Sequence, residues 1–535
     1  MHVTILGKMR GDSPVATSQM NGSEGAPHYV HKTMPHSNKE SSRQGCRSVT
    51  HEWWFVDPAW LVPFLVLVAG MVVAICMPGG YSFDEISHIA RVEQLAAGQV
   101  KPAPVALDDG RTYPFGYSED STLYGGEMDK ALYDVALAGN NSVSELATRT
   151  EGFAFPWWTD DYFPTSEQVG QASVATTFSN TSINSPINYL PQLIGYVLVG
   201  PFTSSPVVLI IAMRIAGLLA FVCALHFAML LTPFGKWTLG YLALFPVWIR
   251  TAAVVTADTM TLICTLLYFV AILRMVFNED TPRRSDWVVL TVFGIGLCLC
   301  KVSYLPFGIL LFAPLVARSR FRSRTRVLAM AVIAASGLLA FTIWYANIAG
   351  INTGAMWSET IDPDAQLEYI LANPVSFVHS FADVMAQMDF LFVRPTLFQS
   401  GPDISSSWFV LALLVAFTAD ILSAYSTCSG GSSAVVMLIF VLIVATISSA
   451  LIVLALDLQF NEVGATVIQG VQQRYFIPLA FPLYCVLLLV AASACSGLRS
   501  GDGEVVYAEK PNIVPSLAMI LLCVMNVALI GVSIY

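Results

Sequence analysis

The chain has 535 residues, 55% of them hydrophobic and only 12% charged, with a net charge of -10 and a mean hydropathy of +0.63. Soluble globular domains carry about twice that share of charge, so the composition excludes one and points to an all-α polytopic membrane protein. No basic stripe interleaves with aromatic residues, which excludes nucleic acid as a partner and leaves the lipid bilayer as the first one.

Residues 1–58 are polar and rich in Ser, Gly and His, without an early apolar run, and read as a disordered cytoplasmic tail with no cleavable signal peptide. The tail holds five of the eight histidines, but their irregular spacing and the lack of a cysteine framework predict no metal site. A first crossing of about 20 apolar residues, 59–78, is long enough for a hydrocarbon core of roughly 30 Å. Immediately after it stands Tyr81-Ser-Phe-Asp-Glu-Ile-Ser-His-Ile-Ala-Arg91. Ser82 with Glu85 forms a capping-box pattern, Tyr81 and Ile86 a hydrophobic staple, and Gly98 a C-terminal stop, which predicts an amphipathic helix. Asp84, His88 and Arg91 stand at i, i+4 and i+7, with Glu85 three residues before His88, so their side chains can converge on one site. The plainer alternative makes Glu85 only a cap and Arg91 only a salt-bridge partner.

The loop 79–185 holds fifteen Asp and Glu against five Lys and Arg, which accounts for the whole net charge. It contains no cysteine, and of the ten cysteines all but Cys46 and Cys428 fall in apolar segments, so no disulfide framework is expected. Further on, Arg283 with Arg284, and Arg318, Arg320, Arg322, Arg324 and Arg326, mark two cytoplasmic loops. Spans at 206–231, 236–253, 255–277, 287–302, 303–318 and 326–349 keep both arginine loops inside and the acidic loop outside, provided that 187–203, short and interrupted by Pro191, does not cross. Spans near 406–425, 433–456, 474–496 and 513–535 complete about eleven crossings, or twelve if 187–203 crosses. The N-terminus is then cytoplasmic and the C-terminus extracytoplasmic. This divides the chain into the tail 1–58, an N-terminal module 59–349 with its outer loop, a second outer loop 350–405, and C-terminal helices 406–535.

Asp84-Glu85-x-x-His88-x-x-Arg91, Asn188-Tyr189-Leu190-Pro191-Gln192, Pro233-Phe234-Gly235-Lys236, Asp258 in Thr-Ala-Asp, Lys301-x-x-Tyr304-Leu305-Pro306, Asn373-Pro374 and Gln473-Arg474-Tyr475 occur in this order. As an ordered set over residues 60–495 they resemble the bacterial membrane family called domain of unknown function 2142. The sequence departs from that pattern at Phe83, at Val302-Ser303 and at Gln473, leaving every ionisable position intact. The family looks like a branch of the GT-C superfamily, integral-membrane glycosyltransferases that use polyprenyl-phosphate-linked sugars on the outer face. The resemblance implies a GT-C-like fold in the bacterial cytoplasmic membrane, a polyprenyl-phosphate-sugar donor, an envelope glycan acceptor, and a functional acid in the first outer loop.

Such a transfer needs a base for the acceptor hydroxyl, charge stabilisation for the leaving phosphate, and exclusion of water. Asp84 is the first candidate base and Glu85 the second, because a carboxylate near a low-dielectric boundary becomes more basic. Alternatively Asp84 and Glu85, with His88, ligate a divalent cation, magnesium or manganese. Arg91, Lys301 and Arg474 are the candidates for the donor phosphate; snorkelling to headgroups is the alternative for Lys301 and interfacial anchoring for Arg474. Asp258 is a second catalytic carboxylate or a helix cap. Asn188, Tyr189 and Tyr304 are expected to line the substrate site. Trp157, Trp158 and Trp357 stack on sugars or belong to the interfacial belt, Arg214 and Arg250 contact headgroups, and Asn180-Thr-Ser is a glycan-acceptor pattern common by chance. A lipid-linked glycan flippase, or a non-catalytic subunit of a polysaccharide assembly complex, is the rival to the enzyme. A flippase needs charge along its spans, whereas here the acids cluster in one outer loop.

Overall fold

The computed structural model describes residues 57–82, 84–105, 123–149, 151–349, 351, 360–389, 407–427, 431–497 and 513–534. Almost all of the tail 1–58, Phe83, Trp357 and most of the second outer loop's ends lie outside the described residues. The eight cysteines among the described residues are free thiols.

In chain order the helices and strands are α1 (Pro58–Cys76), α2 (Glu85–Ala96), β1 (Ala103–Pro104), β2 (Tyr124–Asp129), α3 (Lys130–Thr148), β3 (Ser173–Thr177), α4 (Ser179–Ser182), α5 (Leu190–Val199), α6 (Pro206–Leu231), α7 (Lys236–Ala243), α8 (Pro246–Ala253), α9 (Asp258–Phe277), α10 (Arg284–Leu299), a 3-10 helix (Val302–Phe312) running into α11 (Ala313–Ala317), α12 (Arg324–Ile348), α13 (Pro363–Ala372), α14 (Pro374–Gln387), α15 (Ser407–Thr427), α16 (Gly431–Phe460), α17 (Ile477–Gly497) and α18 (Ile513–Ile534). Among the described residues eight segments, in α1, α6, α9, α12, α15, α16, α17 and α18, are long and apolar enough to cross a membrane. The chain is a mostly helical, multi-pass membrane protein.

Three other expected spans are not single long helices, yet each runs the length of α9. Residues 236–253 form two eight-residue helices broken at Pro246. They begin beside Phe234, whose ring meets Phe277 at the far end of α9, and end where the Val255 amide donates to Glu85 at the near end. Helix α10 is tied at one end by Arg274–Asp286 (3.2 Å) and at the other by Ser185 Oγ donating to Leu299 O (2.7 Å). The segment 302–317 is held between the Lys301–Asp258 pair at the start of α9 and Arg318 Nε on Val276 O (2.7 Å) at its end. Sixteen α-helical residues cover only about 24 Å, whereas the 3-10 stretch rises about 2.0 Å per residue and extends this segment to roughly 30 Å. Helix α5, by contrast, has ten residues and covers about 15 Å, packing alongside α6.

The described residues of the 79–185 region pack together on one end of the bundle. Its antiparallel sheet, in the order β1-β2-β3, pairs Ala103 with Gly125 and Gly125 with Thr177. The alternation was too short to announce it in the sequence. The unit sits close against the end of α1 because two glycines allow it. Gly80 has φ +88°, and a Cβ on it would lie 2.0 Å from Ala136 O; a Cβ on Gly139 would lie 1.8 Å from Gly79 O. Trp157, expected on sugars or in the interfacial belt, is instead buried and donates its indole N–H to Ile75 O (3.0 Å), pinning the unit to α1.

Candidate functional site

The turn after α1 positions everything that follows. Helix α2 begins at Glu85, and Gly98, with φ +80°, follows its end as expected. The predicted capping box does not form. Asp84, not Ser82, occupies the N-cap position, in the left-handed region with φ +56°, and makes no side-chain cap. A non-glycine residue there is strained and is held by its surroundings.

What holds it is a buried ion pair. Glu85 and Arg214 are both 0% exposed, and Arg214 donates through Nε to Oε1 (2.8 Å) and through Nη2 to Oε2 (2.6 Å). The Val255 and Gly80 amides, each at 3.0 Å, complete the carboxylate's partners. The other N–H groups of Arg214 bond to Ala74 O, Met77 O and Pro78 O, the carbonyls at the end of α1. Glu85, expected as second base and metal ligand, is therefore turned away from any cavity with its oxygens saturated. Arg214, expected at the headgroups, is instead the buried clamp joining α1, α2 and α6, and Arg250 is also buried.

Asp84 points the other way, into a cavity of about 320 Å³ that it shares with His88, Asn180, Asn184, Asp258, Lys301, Tyr304, Arg474 and Tyr475. Its Oδ2 accepts from Arg474 Nη2 (3.0 Å) and its Oδ1 from Asn180 Nδ2 (3.3 Å). Asp258, the first residue of α9 rather than its cap, pairs with Lys301. Both cations lie over the Tyr475 ring, Lys301 Nζ at 5.3 Å and the Arg474 guanidinium carbon at 5.0 Å from its centre. The Tyr304 hydroxyl donates to Tyr475 O (2.7 Å) and fixes that turn. Ile452, Ala455, Leu456 and Phe460 of α16 make the opposite wall apolar.

His88 is buried, with Nδ1 2.8 Å from the Tyr189 hydroxyl and Nε2 3.4 Å from Thr256 Oγ1. Burial pushes its imidazole down to about 4, against the pull of the Asp84 and Asp258 carboxylates, so it is neutral at physiological pH. Burial also pushes the Tyr189 phenol upward.

The structure thus brings together Asp84, His88, Asp258, Lys301, Tyr304 and Arg474 from sequence positions nearly 400 apart. It does not bring Arg91 to the lining. That side chain is buried, bonding to Gln94, Val100 O (2.7 Å) and Asn184 O (3.3 Å). Asn188 is not in the lining either; it is fully buried, and neither its Oδ1 nor its Nδ2 has a hydrogen-bond partner. Tyr189 is not in the lining but bonds to residues that are, among them His88 and Asn184 (3.1 Å). Sequence reasoning missed Asn180, visible only as part of an acceptor pattern, and Tyr475, quoted in a motif without a role.

The donor groups do not fit the expected magnesium or manganese ion. Asp84 and Asp258 already face cations, Glu85 is saturated, and both ring nitrogens of His88 are engaged; a divalent cation would sit against Arg474 and Lys301. Among the described residues no three His, Cys, Asp or Glu side chains converge to hold a metal.

The model of the family described as a predicted membrane protein, DUF2142, matches residues 65–483. Comparison with curated proteins and with solved structures returns no match. Since the family match covers most of its length, the chain belongs to the DUF2142 family of predicted membrane proteins.

Proposed function

We propose that this chain is a GT-C-like glycosyltransferase of the bacterial cytoplasmic membrane, transferring a sugar from a polyprenyl-phosphate donor to an envelope polysaccharide or glycolipid on the outer face. The observation that carries the reading is one cavity bearing two carboxylates and two cations, walled on its other side by apolar residues of α16. Arg474 and Lys301 suit a phosphate, the apolar wall suits the start of a prenyl chain, and Asp84, the more exposed carboxylate, suits a sugar hydroxyl. In the reaction so assigned, the acceptor oxygen attacks the anomeric carbon and its proton passes to Asp84. The bond from that carbon to the phosphate oxygen breaks, and its electron pair leaves with the polyprenyl phosphate, whose charge Arg474 and Lys301 stabilise. The phosphate is held by these side chains without a resident metal. The topology that goes with it has eleven crossings, α5 lying at the outer interface, the N-terminus inside and the C-terminus outside.

The test is deletion of the gene and complementation with wild type, Asp84→Asn or Asp258→Asn at matched membrane protein levels, reading envelope sugars by compositional analysis. Wild type should restore a sugar that the deletion loses. Asp84→Asn should lower its incorporation by about 10²–10⁴-fold, the contribution expected of a general base. Full restoration by Asp84→Asn would reject the base assignment and favour a carrier that moves lipid-linked glycans without chemistry.

A further inference from the structure

The four charges in the cavity are matched to each other: Asp84 with Arg474, Asp258 with Lys301. Each cation already donates to a carboxylate, so a phosphate arriving at Arg474 or Lys301 meets a competitor for that charge. The two partners of the first pair are unequal. Arg474 is 9% exposed and lies over Tyr475, whereas Asp84 is 36% exposed, so the carboxylate is the partner able to leave. Asn180 gives it somewhere to remain, because Nδ2 already donates to Oδ1 and keeps the carboxylate at the cavity after Oδ2 is released. The exchange preserves the geometry at the guanidinium, since the two unesterified oxygens of a phosphate accept the same parallel N–H bonds that a carboxylate does.

We propose that Asp84 acts as an internal stand-in for the phosphate of an amphiphilic ligand: the phosphate takes Arg474 from it, and Asp84 becomes free to accept a proton only once the ligand's phosphate is in place. The identity of the ligand as a sugar donor rests on the glycosyltransferase reading, but the exchange itself does not require transfer. It couples binding to base activation, so that water entering alone meets a carboxylate still engaged by arginine. Asp84 is then a competitor of the phosphate, and removing its charge strengthens phosphate binding.

The test uses the purified full chain in nanodiscs and measures the affinity of decyl phosphate, inorganic phosphate and the uncharged decyl glucoside by calorimetry, with thermal unfolding as a check on each variant. Decyl phosphate should bind more tightly than either of the others; equal binding by inorganic phosphate would overturn the amphiphilic ligand, and equal binding by decyl glucoside the anion site. Asp84→Asn should tighten decyl phosphate about 2- to 5-fold, corresponding to loss of a partly exposed ion-pair competitor. Arg474→Gln should weaken it by about 10-fold or more, and in that background Asp84→Asn should give no gain. A gain that persists with Arg474→Gln would show general charge repulsion and overturn the exchange, as would weaker binding by Asp84→Asn alone. Tighter binding by Asp84→Asn with normal envelope sugars would keep the exchange and reject the transfer reaction. Lost sugars with unchanged affinity would do the reverse.

Discussion

Asp84 and Glu85 are adjacent carboxylates with the same intrinsic chemistry, and the fold gives them opposite surroundings. Glu85 points into the junction of α1, α2 and α6, fully buried and surrounded by four N–H donors. Asp84 faces the cavity from a strained backbone, with one arginine and one amide as partners. A carboxylate with every oxygen satisfied inside the protein holds structure together; one with an exchangeable partner at a cavity is available for chemistry. Breaking the first pair leaves a buried charge alone, while breaking the second exposes groups that water can reach.

The largest expected effect is on the buried side of this comparison. Glu85→Gln keeps the shape but leaves the Arg214 charge uncompensated, and should destabilise the fold by about 3–5 kcal/mol. Thermal unfolding of the detergent-purified protein, together with its level in the membrane, measures this. Loss of envelope sugar with an unchanged unfolding midpoint would instead place Glu85 in the chemistry.

Asp84→Gly sharpens the contrast. Relief of the positive-φ strain, worth about 1 kcal/mol, offsets loss of a partly exposed pair of at most similar size, so the unfolding midpoint should stay near that of the parent while sugar incorporation is lost. Unfolding as severe as that of Glu85→Gln would erase the proposed division of roles.

The smallest effect concerns a third carboxylate, on α2. Burial, with the Asp129 carboxylate adding to it, pushes Glu93 up to about 7 from 4.5, although the Asp129 amide donates to its Oε1 (2.9 Å). The folded protein therefore binds a proton that the unfolded chain has lost. Stability is highest below about 4.5, falls as pH rises towards 7, and is level above. Glu93→Gln should flatten the fall in unfolding midpoint between pH 5 and 7.5, and an undiminished slope would assign it to another group.

Much of the architecture was legible in the sequence because membrane crossing is a matter of length and polarity. Apolar runs separated by arginines located the bundle segments, and the shortness of 187–203 with its Pro191 is met by a ten-residue α5. The ordered motifs also marked Asp84, His88, Asp258, Lys301, Tyr304 and Arg474, all of which line one cavity. An ionisable residue at the end of an apolar run is rare enough to stand out.

The direction of each side chain was not legible. Helical spacing put Asp84, His88 and Arg91 on one face, but Asp84 precedes the helix with φ +56°, and Arg91 lies seven residues on with partners of its own. The capping-box pattern at Ser82 and Glu85 was a sound local preference overruled by an arginine 129 residues away, since a buried guanidinium must be neutralised and Glu85 is what the fold brings to it. Composition likewise cannot tell an α-helix from the 3-10 stretch at 302–312, because pitch there is set by contacts at the two ends of the segment. The sequence by itself determined a multi-pass membrane chain with its net negative charge concentrated in one loop. Only the tertiary structure decided which acid is clamped and which faces the cavity, because that depends on glycine-permitted backbone contact at Gly80 and Gly139 and on partners far away along the chain.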